Sequence, residues 1–312
     1  MEYILLIVGF VLLIKGADFF VDGASSIAGK LKVPSLIIGL TVVSLGTSLP
    51  EAAISISASL SGNNAISLGN AIGSNVFNLL VVVGVSSVIL PIATDNDILK
   101  RDMPINIAIT ALLLLMFIDG KLARIEAAIL LVLLVAYMVL LIYSALKKQT
   151  DSPTQKILSW AKSLIFVVVG VCAIIGGGKL VVNSATVIAE ALGMGETLIG
   201  LTVVAIGTSL PELVTSVVAA KKGDSGIAMG NVVGSSIFNI LFILGTAGVI
   251  KPMVADAEFF VDTAVLIAFS IIVFIFAFTK RKTDRLEGLV CILLYIAYTS
   301  YIIMRAFHIW IF

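Results

Sequence analysis

Charge is what this 312-residue chain has least of. Only 12% of its residues are Asp, Glu, Lys or Arg, against about 25% in a soluble domain. It cannot cover itself with a solvated surface. Acidic and basic residues nearly balance, and a net charge of +1 excludes a nucleic-acid-binding surface. There is one histidine, and the two cysteines, Cys172 and Cys291, sit in apolar runs. That excludes a disulfide framework and a soft-ligand site for zinc or copper. No basic stretch precedes the apolar run that begins at Tyr3, and no small-residue cleavage pattern follows it. A removed leader is not expected, and the first helix is expected to stay. No polar segment is long enough for a soluble catalytic domain.

What is present is hydrocarbon. The chain is 60% hydrophobic, with mean hydropathy +1.17. A spanning helix needs about 20 apolar residues. Hydropathy and breaker residues place spans at roughly 3–28, 34–60, 65–90, 103–118, 123–146, 160–190, 195–220, 226–250, 259–279 and 286–307. The expected fold class is an all-α integral membrane protein of ten transmembrane helices. The polar stretch 147–159, KKQTDSPTQKILS, is expected to be a cytoplasmic linker between residues 1–146 (helices 1–5) and 160–312 (helices 6–10). Loops after odd-numbered spans hold fourteen Lys and Arg, and the other side holds four, Lys121, Arg124, Lys251 and Arg305. The basic side should face the cytoplasm, with both termini outside.

The chain is duplicated. GLTVVSLGTSLPE at 39–51 returns as GLTVVAIGTSLPE at 200–212, and GNAIGSNVFN at 69–78 returns as GNVVGSSIFN at 230–239. The offset is 161 residues throughout, from Gly16/Gly177 to Asn78/Asn239. Five spans per half is an odd number, so matched helices must cross in opposite directions. The reading is two inverted five-helix repeats, with a substrate site where broken helices meet near the midplane.

Within GTSLPE the proline removes a backbone donor and clashes with the carbonyl four residues back, that of Gly46 for Pro50 and of Gly207 for Pro211. The carbonyls of Ser44 and Ala205 lie just before. Backbone opened at membrane depth needs a partner: a dehydrated cation, or a hydroxyl at a simple packing kink. Two copies, each followed at once by a glutamate, favour the cation. Glu51 and Glu212 lie deep in apolar runs, where a charge costs about 2.5–3.5 kcal/mol on the lenient scale. No Lys or Arg occurs in helices 2, 3, 7 or 8 to neutralise them. Thr47 and Glu51 share a helical face, with Ser48 beside them; Ser74 and Asn78, and Ser235 and Asn239, are each one turn apart. With Thr208, Ser209 and Glu212, the inventory is hard oxygen, suited to Ca²⁺ or Na⁺. The bland alternative is that each Ser or Thr bonds back to its own helix.

Other features receive structural readings. Gly69, Gly73, Gly230 and Gly234 fit GxxxG helix packing. Lys15, Asp18 and Asp22 are expected to form a salt-bridged cytoplasmic helix end, and Lys179 and Asn183, at the positions of Asp18 and Asp22, are placed toward the same side. Asp256, Glu258 and Asp262 are expected to be a solvated outer face rather than a cation vestibule. Glu126 and Glu190 end helices, and His308 needs no function.

At the two signature blocks the chain resembles the sodium/calcium exchangers of the cation/calcium exchanger superfamily, prokaryotic type. The resemblance covers essentially the whole chain. It implies alternating access, three Na⁺ for one Ca²⁺, and no cofactor. It implies ligands at Thr47, Ser48, Glu51, Ser74, Asn78, Thr208, Ser209, Glu212, Ser235 and Asn239, with the carbonyls of Ser44 and Ala205. Helices 1 and 6 would form the sliding pair. Some members have Asp where Asn239 stands, so K⁺ dependence is not expected. Two ionised glutamates balance one Ca²⁺, whereas three Na⁺ leave one positive charge, so the cycle should be electrogenic. The expected setting is the plasma membrane, as a monomer among lipid. The alternatives are a Ca²⁺/H⁺ antiporter using the same glutamates, a channel, and an intramembrane hydrolase. The last lacks a base near the motif serines.

Overall fold

The computed structural model of the chain describes residues 1–147, 157–195, 202–203 and 205–307. Most of the expected linker 147–159, the beginning of the seventh expected span and His308 lie outside the described residues. The helices are α1 (Glu2–Leu31), α2 (Ser35–Ile38), α3 (Ser44–Thr47), α4 (Leu49–Leu60), α5 (Asn64–Phe77), α6 (Val83–Ile89), α7 (Met103–Met116), α8 (Arg124–Lys147), α9 (Trp160–Ala191), α10 (Ala205–Thr208), α11 (Leu210–Lys221), α12 (Ser225–Phe238), α13 (Gly245–Ile250), α14 (Ala257–Lys280) and α15 (Arg285–Ala306). Four two-residue strands, β1 (Ile92–Ala93), β2 (Lys121–Leu122), β3 (Met253–Val254) and β4 (Lys282–Thr283), complete them.

Among the described residues seven helices are long and apolar enough to cross a membrane. Two of them are continuous through a π-helical turn, Asn64–Ile89 and Ser225–Ile250. An eighth candidate is the broken pair Ser35–Thr47 and Leu49–Leu60, bent by 50°. Two of the ten expected spans fall outside this set. The fourth, α7, is only 14 residues long and follows a π turn carrying Lys100, Arg101 and Asp102. The seventh is only partly described.

The bend corrects one sequence expectation. Pro50 does not interrupt a running helix; it stands in the first turn of α4, where its missing N–H costs nothing. The helix has already broken at Ser48 (φ −83°, ψ 6°). Pro211 and Ser209 repeat this arrangement before α11. Both helices then stop at a left-handed glycine, Gly62 (φ 80°) and Gly223 (φ 77°), which only a residue without Cβ adopts freely.

α1 and α9 lie antiparallel along a seam of glycines. Gly9 faces Gly177, Gly16 faces Gly170 and Gly23 faces Ser163, every seventh residue; a Cβ on any of these glycines would meet opposing backbone at 2.7–3.0 Å. Small residues let helix backbones approach this closely without a hydrophobic drive between them. The seam also places Lys179 at the Gly9 end of the pair and Asp18 and Asp22 at the other. The two sets therefore lie toward opposite faces, contrary to the shared side expected from sequence.

The strands tie the halves together. β1 pairs antiparallel with β4, Ile92 opposite Thr283, and β2 pairs with β3, Lys121 opposite Val254. Each ladder continues by one bond, from Thr94 N to Arg281 O at 2.9 Å and from Ala255 N to Gly120 O at 3.0 Å. Between β1 and β2 the chain climbs through Ile98–Met116, about 25–30 Å of helix. The two strand pairs therefore mark opposite ends of the molecule.

Candidate ion site

The breaks at Ser48 and Ser209 bring the two motifs face to face. Ser48 Oγ donates to Glu212 Oε1 at 3.1 Å, and Ser209 Oγ donates to Glu51 Oε1 at 3.2 Å. Both glutamates are completely buried. Each has one oxygen held by the opposite motif, and the other, Oε2, has no hydrogen-bond partner among the described residues. Among the described residues no basic side chain pairs with either carboxylate. A buried carboxylate oxygen without a partner is expensive, and a hard cation removes that cost.

The remaining expected ligands gather around this pair, all of those described being buried. Ser74 Oγ lies 3.1 Å from Ser209 Oγ. Ser235 Oγ points to the Ser44 carbonyl at 3.5 Å. That carbonyl also accepts from Ser48 N at 3.0 Å and Thr47 Oγ1 at 3.3 Å, so it is not left open by the break. Thr208 lies between two cavities and lines both. Ala205 opens α10, and its side chain is not described. Among the described residues both ends of the Asn78 amide, and Oδ1 of Asn239, have no hydrogen-bond partner. Each begins a π-helical turn, a local widening frequent at functional positions. The hydroxyls divide: Thr47 Oγ1 lies 3.2 Å from Val43 O, the back-bond of the bland alternative, but closer, at 3.0 Å, to Asn231 Oδ1 of the other half, and Ser48 and Ser209 cross between the halves outright.

Two functional residues were missed from sequence, Asn70 and Asn231. Asn70 Nδ2 donates to Glu51 O at 3.2 Å and Ser55 Oγ at 2.9 Å. Asn231 Nδ2 donates to Glu212 O at 3.3 Å and Ser216 Oγ at 2.9 Å. Each amide braces the turn that carries the glutamate. Asn231 Oδ1 also accepts from Thr47 Oγ1 at 3.0 Å. The signal was available: GNAIG and GNVVG carry the asparagine between the two glycines read only for packing.

Those glycines also need correction. A Cβ on Gly230 would meet Leu36 O at 2.8 Å, and one on Gly234 would meet Ser44 Oγ at 2.7 Å, so these two do pack tightly. A Cβ on Gly69 or Gly73 would meet nothing within 4 Å. Both line a cavity of about 520 Å³ that reaches Asn70 and Thr208. A second cavity of about 640 Å³ runs from Ser61 and Asn63 past Lys179 and Asn183 to Thr208 and Pro211. Both open toward the Asn63 end.

The opposite end is bridged by ion pairs and hydrogen bonds. Lys222 Nζ binds Asp22 Oδ1 at 2.6 Å and Asp18 Oδ1 at 3.5 Å. Asp224 accepts from Ser25 Oγ at 2.9 Å and Ser35 Oγ at 2.7 Å. The Lys15–Asp18 pair expected from sequence is the loose one, at 3.9 Å between exposed groups; the tight pair is Lys222 with Asp22, and Lys222 Nζ also donates to the Asp18 backbone carbonyl at 2.8 Å. At the open end the residues 161 positions away, Lys179, Asn183, Ser61 and Asn63, line the second cavity instead. The acidic cluster is likewise not simply solvated. Arg305 clamps Asp262 at 3.0 and 2.8 Å and reaches Glu258 at 3.4 Å, while Asp256 caps α14 through Phe259 N at 2.8 Å.

Comparison with known proteins agrees with this geometry. The family model described as sodium/calcium exchanger protein matches residues 1–143 and again 162–304. The putative antiporter CaxA of Alkalimonas amylolytica is 38% identical over 308 residues, covering 95% of this chain and 96% of that protein. The sodium/calcium exchanger MaX1 of Methanosarcina acetivorans is 37% identical, covering 95% and 97%. Among solved structures, the sodium–calcium exchanger NCX_Mj soaked with 2.5 mM Na⁺ and 0.1 mM Ca²⁺ superposes with TM-score 0.84 at 34% identity, covering 96% of this chain and 97% of that one.

Proposed function

The chain belongs to the sodium/calcium exchanger family, and from that membership we propose that it is a secondary active antiporter exchanging Na⁺ for Ca²⁺ by alternating access. The observation that carries this reading is the reciprocal crossing of Ser48 to Glu212 and Ser209 to Glu51, which leaves two unpartnered carboxylate oxygens in a fully buried, base-free centre. The cations are the cargo. Glu51 and Glu212 supply the charge, and Thr47, Ser48, Ser74, Asn78, Thr208, Ser209, Ser235 and Asn239, with the Ala205 carbonyl and with that of Ser44 once a hydroxyl donor gives way to the ion, supply neutral oxygen.

The architecture proposed is ten transmembrane helices in two inverted five-helix repeats, residues 1–146 and 160–312, joined by a cytoplasmic linker. The strand pairs support the inversion. β1 follows the third span and β3 the eighth, 161 residues apart, yet β3 pairs with β2 at the end opposite β1. The basic loops support an orientation with the Lys222 end in the cytoplasm and the Asn63 end outside, and in that orientation the cavities on the Asn63 side correspond to an outward-open state.

Charge couples the two ions. One Ca²⁺ cancels two carboxylates and three Na⁺ leave one charge over, so an electrogenic three-for-one cycle fits the site. An empty centre carrying two negative charges is costly to enclose in low dielectric, which suppresses crossing without cargo. Asn at position 239 adds no charge, and the cycle is independent of K⁺. The glycine seam of α1 and α9 gives the sliding surface, because at the glycines backbone meets backbone and only small side chains lie between them.

The test is Ca²⁺ uptake into proteoliposomes of the purified protein, driven in turn by a Na⁺ gradient and by a pH gradient. Uptake that follows the Na⁺ gradient, carries current and ignores K⁺ is expected. Uptake that follows only the pH gradient would assign the same glutamates to Ca²⁺/H⁺ exchange.

A further inference from the structure

The central amides of the two halves are wired differently, although they occupy equivalent positions. Asn75 corresponds to Ser236, and Asn78 to Asn239. Asn75 Nδ2 lies 3.1 Å from the Ser236 backbone carbonyl. A carbonyl only accepts, so the end of Asn75 that faces it must be the NH₂. The Asn75 oxygen therefore faces Asn239, where only a donor fits, and Asn239 Nδ2 stands 3.0 Å away. That leaves Asn239 Oδ1 as the end of the amide turned away from Asn75, in a residue 1% exposed and without a partner among the described residues. The polarity of Asn239 is thus dictated by a backbone carbonyl two links away.

Asn78 has no such tie. The residue at the position equivalent to Asn75 is Ser236, whose hydroxyl turns back to Val232 O at 3.0 Å. Among the described residues nothing holds either end of the Asn78 amide.

We propose that Asn75 is a positioning residue for cation binding, which fixes Asn239 as an oxygen donor and leaves Asn78 free to turn. An unheld amide can present oxygen or NH₂ to a cation with almost the same shape, and only one of the two attracts it. Locking the oxygen inward before the ion arrives removes the cost of selecting it. The Asn239 half of the site is therefore pre-set, and the Asn78 half adapts to the ion present. This inference rests on the ion-site reading above.

A double-mutant cycle tests it. Asn75→Leu, Asn239→Ala and the double variant are compared for the Ca²⁺ concentration giving half-maximal uptake and for the rise in Tm that Ca²⁺ produces in the purified full-length protein. Asn75→Leu should raise the half-maximal concentration about tenfold with maximal rate little changed. In the Asn239→Ala background the same substitution should change it by less than about twofold. Where Asn75→Leu fails to fold, Asn75→Ser keeps a polar group too short to bridge the Ser236 carbonyl and Asn239, and it should behave as the leucine does. Equal effects in both backgrounds, or none in either, would overturn the proposal. The thermal measurement needs no counter-ion. Loss of Na⁺-driven uptake in the unsubstituted protein would therefore count against the exchange reading alone, whereas absence of any Ca²⁺-induced stabilisation there would overturn both.

Discussion

Ser48, on one broken helix, donates a hydrogen bond to Glu212 on the other at 3.1 Å. The acid of each half is thus oriented by a hydroxyl of its counterpart, and neither half can assemble a carboxylate in its working geometry alone. Glu51→Gln and Glu212→Gln keep the shape and the acceptor while removing one charge. Each should reduce Na⁺-dependent Ca²⁺ uptake by at least about 100-fold, the scale of breaking a buried charge pairing. Undiminished uptake in either variant would remove that glutamate from the site.

The four glycines of the two GxxxG blocks should behave as two unlike pairs. Gly234→Ala drives a methyl against Ser44, and Gly230→Ala against the Leu36 carbonyl. Each should cost about 1–3 kcal/mol by overpacking, lowering Tm by several degrees. Gly69→Ala and Gly73→Ala enter open space and should leave Tm unchanged within about one degree. Thermal unfolding of the four purified variants distinguishes the pairs.

The α1–α9 seam predicts a kinetic phenotype. Gly16→Ala or Gly170→Ala places a methyl on the opposing backbone at 2.7–3.0 Å. If the pair slides during the cycle, turnover should fall about tenfold, equivalent to ~1.4 kcal/mol on the barrier. The Ca²⁺ concentration for half-maximal uptake should change little, since neither glycine touches the site. Uptake kinetics in proteoliposomes separate the two quantities.

The ion pairs at the bridged end should bias which face is open. Asp22→Asn removes the tighter carboxylate from Lys222. A cysteine placed at Asn63, which lines the second cavity, should then react more slowly with a membrane-impermeant thiol reagent, because the population shifts toward the opposite opening. An unchanged labelling rate would show that this pair does not hold the end shut.

Much of the architecture was legible in residue pattern. Apolar runs near 20 residues mark most of the spans, and the 161-residue offset announces the duplication. Glu51 and Glu212 advertise themselves because an acid in an apolar run has no cheap structural explanation. What stayed hidden depends on contacts between residues far apart in the chain. Lys222 finds Asp22 across 200 positions, and local spacing pointed to Lys15 instead. Gly69 and Gly230 have the same sequence context but opposite surroundings, because one end of the molecule is open and the other bridged. A repeat in sequence cannot report a difference in conformation between its copies. Asn70 and Asn231 escaped because glycine spacing explained their motif without them.

The crossed strand pairs carry a consequence for how such a molecule could arise. Ile92–Ala93 finds its partner in the other half, and so does Lys121–Leu122. A five-helix unit alone would expose both unpaired edges, which invite pairing with another chain. Two copies of one ancestral unit, inserted in opposite senses, would satisfy both edges at once, since the two clasps use equivalent positions. In the present chain both edges are paired across the sequence repeat within one polypeptide, so each clasp closes an edge that either half alone would leave bare.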